Sequence, residues 1–310
     1  MKILITGGAG FQGSHLTSAL VKKGHQVTIL NTFSDRALFN LSFIPKEVIV
    51  VWGSVTDKEI VDKTVRGHDV VFHLAAHINV DESLHDPAIF YHVNILGTHN
   101  ILEAVRKYGS RLILTSTCEV YGDDHNFDSD ELLDESAELR PNSPYAASKA
   151  GGDRMCYAYF RSFDVDVTIV RPFNIYGERQ KNGRFGALIP ILTDKALRNE
   201  DLIIFGDGLS TRDYMHVSDA VQGYLIVLEN LSLKGKVINF ASGKNTRIKD
   251  IADHIAQHFG VKVIHDSARP GEVSRFPADI SFARSLGFNP HVDIREGLDR
   301  YIMWAEKNLK

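Results

Sequence analysis

Residues 1–16 read M-K-I-L-I-T-G-G-A-G-F-Q-G-S-H-L. An apolar run with strand character stops at a glycine-rich turn, and an amphipathic helical pattern, H-L-T-S-A-L-V-K-K, follows at once. Gly7, Gly10 and Gly13 are spaced G-x-x-G-x-x-G, with Phe11 and Gln12 at the helix start. Glycines at this spacing permit a tight turn, let a pyrophosphate approach the backbone and let helix pack closely on sheet. The free N–H groups and positive dipole end of the helix then face the phosphates. Strand, turn and helix in this order predict a dinucleotide site.

Outward from that turn the same rhythm repeats. Q-V-T-I-L, V-I-V-V, D-V-V-F-H-L, R-L-I-L-T-S and D-V-T-I-V-R read as buried strands, with helical stretches such as N-I-L-G-T-H-N-I-L-E-A-V-R-K-Y between them. Strict alternation implies right-handed crossovers and an α/β fold: a Rossmann doubly wound parallel sheet covered on both faces. Past about residue 170 the rhythm breaks. Residues 1–170 are therefore expected to form the NAD(P)-binding domain. Residues 171–310 are expected to form a smaller C-terminal substrate-binding lobe, partly interleaved with the first and built over the carboxyl ends of the strands.

Composition sets bounds. A chain of 310 residues with 44% hydrophobic and 24% charged residues reads as globular, and its net charge of −4 gives no reason to expect nucleic acid. Two cysteines, Cys118 and Cys156, make no disulfide framework. No run reaches the roughly 18 apolar residues of a membrane span, and the first residues read as a strand rather than a signal peptide. A cytoplasmic enzyme with no membrane partner is the expectation. His254 and His258 sit at i, i+4 with no evident third ligand, so no metal is expected.

The adenosine end of the site departs from the usual pattern. The second strand ends in Asn31 where an acidic residue normally takes the ribose hydroxyls. Asn31 can still bond a ribose but cannot repel a 2′-phosphate, and Ser34 and Arg36 follow. NAD is the expected cofactor and NADP the alternative.

Two further motifs point to chemistry. S-P-Y-A-A-S-K places Tyr145 and Lys149 four apart on one helix face. A lysine ammonium beside a phenol favours the phenolate, which can take a proton from an alcohol as hydride leaves. T-S-T-C-E-V-Y-G puts Thr117, Cys118 and Glu119 where the fifth strand ends.

With these residues in place the chain resembles the extended short-chain dehydrogenase/reductase family, in its nucleotide-sugar epimerase and dehydratase branch. V-F-H-L-A-A, V-N-I-L-G-T-H-N-I-L-E-A, R-P-F-N-I-Y-G, G-D-G-L-S-T-R-D-Y-M-H-V-S-D-A and R-P-G-E-V stand in the family's order along nearly the whole chain. The resemblance implies that Leu74, Ala75 and Ala76 line the cofactor, that Asn94 lies near it and that Pro172 backs the nicotinamide. It implies that Asn174 meets the sugar diphosphate and that Arg212 and Arg269 neutralise it. A nucleotide-sugar substrate, UDP-sugar by analogy, and a homodimer paired through residues 95–108 and 146–163 are implied too. Ser54 replaces an Asp that the family tends to place near adenine.

Within the branch, S-T-C-E-V-Y-G resembles the S-T-D-E-V-Y-G of 4,6-dehydratases and the S-T-S-E-V-Y-G of UDP-glucuronate decarboxylases. It is most similar to the tunicamycin-pathway UDP-N-acetylglucosamine 5,6-dehydratase. The expected reaction is dehydration of a nucleotide hexose through a transient 4-ketone: Glu119 removes the acidified C5 proton and Cys118, protonated at neutral pH, assists loss of O6. The other reading of Cys118 is packing, with Glu119 or a water handling both protons. A 4-epimerase is the alternative activity, and a UDP-glucuronate decarboxylase the next, its carboxylate clamp sought among Arg179, Arg184 and Arg247.

Overall fold

The computed structural model describes residues 1–122, 132–181, 186–267 and 277–309. The six apolar runs of the first half are strands: β1 (Lys2–Thr6), β2 (Gln26–Asn31), β3 (Ile49–Trp52), β4 (Val70–His73), β5 (Arg111–Thr115) and β6 (Val167–Pro172). Next come β7 (Asn174–Tyr176), β8 (Leu202–Phe205), β9 (Thr211–His216), β10 (Val237–Phe240), β11 (Asn245–Arg247) and β12 (Val263–Asp266). The large sheet is parallel throughout in the order β10-β6-β5-β4-β1-β2-β3, so β10 returns from far along the chain to its edge. Two small sheets, β11-β9-β7 and β12-β8, lie in the second half.

Alternation along β1 shows why the sheet is covered on both faces. Ile3 and Ile5 pack into one apolar core and Leu4 into the other, all fully buried. A third core, around Leu192, Ile251, Ile255 and Tyr301, holds the smaller lobe together. β1 lies between β2 and β4, so the direction of winding reverses there and opens a crevice beyond the strand ends. Gly7 leaves β1 and Leu74 leaves β4 at that crevice.

The helix Pro144–Phe163 carries the Y-A-A-S-K motif. Ser143 caps it, accepting from Ala146 N at 3.1 Å, and Pro144 fills the first turn. Gly152 lets it approach the helix Gly97–Tyr108: a Cβ there would stand 3.2 Å from Thr98 Oγ1. Among the described residues no helix is long and apolar enough to cross a membrane.

Candidate active site

The glycine turn is built to hold a backbone-bound anion. Gly7 has φ +74°, and a Cβ on it would lie 2.9 Å from Ala75 N. A Cβ on Gly13 would lie 2.1 Å from Gly7 O, so only glycine lets the helix Phe11–Lys22 start this close to the turn. The resulting cleft, of about 360 Å³, is lined by Gly7, Gly10, Phe11, Gln12, Gly13, Asn31, Leu74, Ala75 and Ala76, all singled out from sequence. Thr32, Ser54, His77 and Thr115 also line it. Ser54 stood out in the sequence and Thr115 opens the T-S-T-C-E-V-Y-G stretch, whereas no motif marked Thr32 or His77. This elongated, glycine-floored crevice at a helix N-terminus fits a dinucleotide.

Asn31, Ser34 and Arg36 each have a hydrogen-bond partner within the protein. Asn31 Oδ1 accepts from Ala9 N at 3.1 Å, so this side chain fixes the glycine turn. The Ser34 hydroxyl caps the next helix by accepting from Ala37 N at 3.1 Å, and Ser34 is not among the lining residues. Arg36 turns away from the cleft: its Nη2 donates to Arg179 O at 2.8 Å and to Gln180 O. Among the described residues that line the cleft none is a lysine or an arginine. Pro172 is buried at the end of β6.

Asn94 sits in a stretch of π-helix, Tyr91–Leu96. Its Oδ1 accepts from His77 N at 2.7 Å, while its Nδ2 donates to His77 O at 3.0 Å and to Ser148 Oγ at 2.8 Å. One side chain thereby ties the loop after β4 to the Tyr145 helix. A π-bulge that re-aims a side chain in this way is a recurrent device at functional sites.

At the reaction end, Thr117 hydrogen-bonds Tyr145, and Glu119 and Cys118 lie close enough to raise the phenol's pKa further. Burial is the main cause of that rise, which departs from the sequence expectation. The reason is where Lys149 goes. Its Nζ donates to Thr115 O at 2.6 Å, at the tip of β5 and the edge of the cofactor cleft, rather than lowering the phenol. Burial pulls Lys149 down to about 8, and Asp153 opposes that pull. Beside them His73 is buried and held neutral, its pKa about 3, between Thr6 Oγ1 at 2.7 Å and Thr98 Oγ1 at 3.1 Å.

Cys118 and Glu119 share the short helical turn Cys118–Tyr121, capped by Thr117. Cys118 is 3% exposed and packs into the core. Burial, then Glu119, pushes its thiol well above the usual value. Glu119 is half-buried. Behind this turn runs an ionic network that no motif announced. Arg171, fully buried, grips Asp153 through Nε and Nη2 at 2.9 and 3.0 Å and donates to Tyr121 Oη at 2.9 Å. Tyr121 in turn donates to Asn239 Oδ1 at 2.7 Å. One guanidinium thus joins the Lys149 helix, the Glu119 turn and β10.

A second cavity, of about 280 Å³, contains two of the three substrate candidates: Asn174 and Arg212 line it together with Gln180, Leu188 and Tyr214. Asp213, buried beneath, accepts from Ser242 N, Ser242 Oγ and Gly243 N at 2.7, 2.6 and 2.8 Å, which locks the neighbouring loop. Arg269 lies outside the described residues, as does Arg184. Arg179 lines neither this cavity nor the cofactor cleft; its guanidinium lies over the Phe43 ring, 5.1 Å from the centroid.

A Rossmann sheet with this turn and a Thr117–Tyr145–Lys149 set defines the chain as a short-chain dehydrogenase/reductase enzyme. It belongs to the NAD dependent epimerase/dehydratase family, whose model matches residues 3–241. It is 37% identical to a putative UDP-glucose 4-epimerase of Methanocaldococcus jannaschii, over 99% of both chains. It is 35% identical to a UDP-N-acetyl-alpha-D-glucosaminuronate decarboxylase of Bacillus cytotoxicus, over 98% of this chain and 97% of the other. Among solved structures, a dTDP-glucose 4,6-dehydratase of Streptomyces venezuelae with NAD bound superposes with a TM-score of 0.90 at 32% identity, over 99% and 98% of the two chains. NAD is accordingly the cofactor of this family, and its members act on nucleotide sugars.

Proposed function

We propose that the protein is a nucleotide-sugar dehydratase acting through a 4-keto hexose, and the observation that carries this is Glu119. In this reading the Glu119 carboxylate, on the turn after β5 and close enough to Tyr145 to raise the phenol's pKa, acts on the carbon next to C4. NAD in the glycine-floored cleft supplies reversible hydride acceptance. Tyr145, bonded to Thr117, takes the proton from O4 as the C4 hydride leaves. Its burial-raised pKa makes the phenolate a strong base, and a positive charge at the Lys149 end of the cleft is what would make that form accessible. The ketone acidifies C5. Glu119 takes the C5 proton, the C6–O6 bond breaks, C5=C6 forms, and O6 leaves as water with that proton. The hydride taken from C4 then returns either to C6, with a proton to C5, giving a 4-keto-6-deoxy sugar, or to C4, with a proton to O4, giving a 5,6-ene.

The donor of the proton that leaves with O6 is Glu119 itself in our reading. A carboxyl that has just been protonated is a far stronger acid than a thiol whose pKa burial has raised, so Cys118 packs and bonds Thr117. Cys118→Ala then lowers the dehydration rate less than tenfold; a loss above a hundredfold in single-turnover rate makes the thiol the acid.

Asn174 and Arg212 are assigned to the nucleotide diphosphate, since the Arg fork suits phosphate oxygens. Residues 1–170 are assigned to the cofactor and 171–310 to the substrate, the two partly interleaved, since β10 joins the large sheet. Leu96, Tyr157 and Phe163, exposed on the helical face opposite the sheet, fit a homodimer; equilibrium sedimentation of Tyr157→Glu tests it.

The experiment offers UDP-glucose, UDP-N-acetylglucosamine, dTDP-glucose, GDP-mannose and UDP-glucuronate in heavy water and weighs the products. A product lighter by one water supports dehydration, and deuterium at C5 selects a 4-keto-6-deoxy product over a 5,6-ene. The second reading, a 4-epimerase, draws on the Methanocaldococcus relative. It predicts unchanged mass, no deuterium and a Glu119→Gln variant that keeps its activity, where the dehydratase loses about a thousandfold.

A further inference from the structure

Three successive backbone carbonyls in the loop after β7 each receive a side-chain donor from the dinucleotide half of the molecule. His15 Nε2 lies 2.8 Å from Glu178 O, so the proton of this imidazole sits on Nε2. Arg36 Nη2 donates to Arg179 O at 2.8 Å and to Gln180 O. His15 is on the helix Phe11–Lys22 that starts at the glycine turn, and Arg36 is on the helix Asp35–Leu41 that follows β2. The loop needs holding: Arg179 has φ +66°, a left-handed conformation that side chains other than glycine adopt only at a cost. The guanidinium of Arg36 is itself fixed over the Phe39 ring, 5.2 Å from its centroid. The last residue of the strap, Gln180, lines the cavity that holds Asn174 and Arg212, and its Nε2 donates to Ile175 O at 3.1 Å.

We infer that His15 and Arg36 are positioning residues for the sugar-nucleotide cavity: they clamp residues 178–180 from the cofactor side and so set the wall that the nucleoside diphosphate meets. The inference rests on the reading of the Asn174–Arg212 cavity as the substrate's nucleotide end. It also gives Arg36, which follows the ribose-binding position in sequence, a task unconnected with a 2′-phosphate. Substrate affinity is then tuned by residues that touch neither substrate nor cofactor.

The test titrates UDP and dTDP by calorimetry into the NAD-loaded wild type, Arg36→Met, His15→Ala and His15→Gln, with bound NAD and melting temperature recorded for each. Arg36→Met and His15→Ala are expected to weaken the nucleoside diphosphate about tenfold, roughly 1.4 kcal/mol, with NAD content unchanged. Turnover should show KM raised by the same factor and kcat within about twofold. His15→Gln, whose amide Nε2 can donate to the same carbonyl, should stay within about twofold of wild type throughout. Equal affinities in all four proteins overturn the inference. So does parallel loss of NAD and nucleotide, which marks general damage to the fold. A selective change in NADP binding in Arg36→Met also overturns it, by placing that guanidinium at the ribose. A wild type that binds neither UDP nor dTDP overturns the substrate reading itself, whatever the variants do.

Discussion

The two ends of the cofactor cleft are built on different principles. At the adenosine end the cleft is largely backbone: glycines make the floor, Asn31 braces the turn through Ala9 N, and Phe33 and Trp52 pair edge-on in solvent, 5.2 Å apart. At the reaction end side chains are buried and interlocked, from Lys149 on Thr115 O to Asp153 in the grip of Arg171. A site made of backbone tolerates changed side chains, and this explains how the missing acidic residue after β2 coexists with an NAD fold. A site made of interlocked side chains does not tolerate them.

The largest expected contrast is in turnover. Tyr145→Phe should lower kcat about a thousandfold, within the range for loss of a positioned proton acceptor, while NAD remains bound. Single-turnover rates with cofactor content measured in parallel check it. A loss of tenfold or less removes Tyr145 from the chemistry and breaks the contrast at its centre.

Next comes stability. Arg171→Met leaves the Asp153 carboxylate buried without its principal partner and should cost about 3 kcal/mol, since removing one member of a buried pair exposes the full desolvation penalty of the other. Arg154 also touches Asp153, at 2.5 Å, and sets a limit on the loss. Urea unfolding measures it; a change below about 1 kcal/mol would show that the network is ornamental.

The third test uses pH. Folding lowers Lys149 from 10.5 to about 8, chiefly by burial. Between those two values the unfolded chain holds a proton that the folded chain has released, so this group makes stability rise with pH across that window. Lys149→Met abolishes the gain. The stability of wild type relative to the variant should therefore climb by up to about 3 kcal/mol from pH 8 to 10.5, at about 1.4 kcal/mol per unit, and stay level below pH 7. A flat difference places the lysine in water, and a falling one means that folding raises its pKa instead of lowering it.

What could be read from sequence follows the same division. The glycine turn, the Tyr145–Lys149 spacing and the Thr117–Glu119 stretch were legible because each is a local pattern on one element. The direction of Lys149 was not, since its acceptor is a carbonyl 34 residues away. Arg171 with Asp153, and His15 with Glu178 O, join residues 18 and 163 apart, and spacing along a chain carries no trace of such pairs. Ser34, a cofactor candidate by its place after Asn31, caps the helix Asp35–Leu41, a role that the sequence reading had not assigned.

The smallest effect is the one that tests the adenosine end on its own terms. Asn31→Ala removes the brace to Ala9 N, together with an exposed hydrogen bond from Nδ2 to Thr32 O, and leaves every glycine in place. If the backbone carries the binding there, the loss is that of one ordinary bond, about 1 kcal/mol or fivefold in NAD affinity. Turnover at saturating cofactor should not change. Asn31→Asp keeps the acceptor and adds a negative charge beside the ribose, so it should hold NAD and weaken NADP severalfold. Fluorescence titration of reduced cofactors into apoprotein separates the two. A hundredfold loss of NAD in Asn31→Ala would mean that this side chain, and not the turn it braces, holds the ribose, and the two ends of the cleft would then be alike.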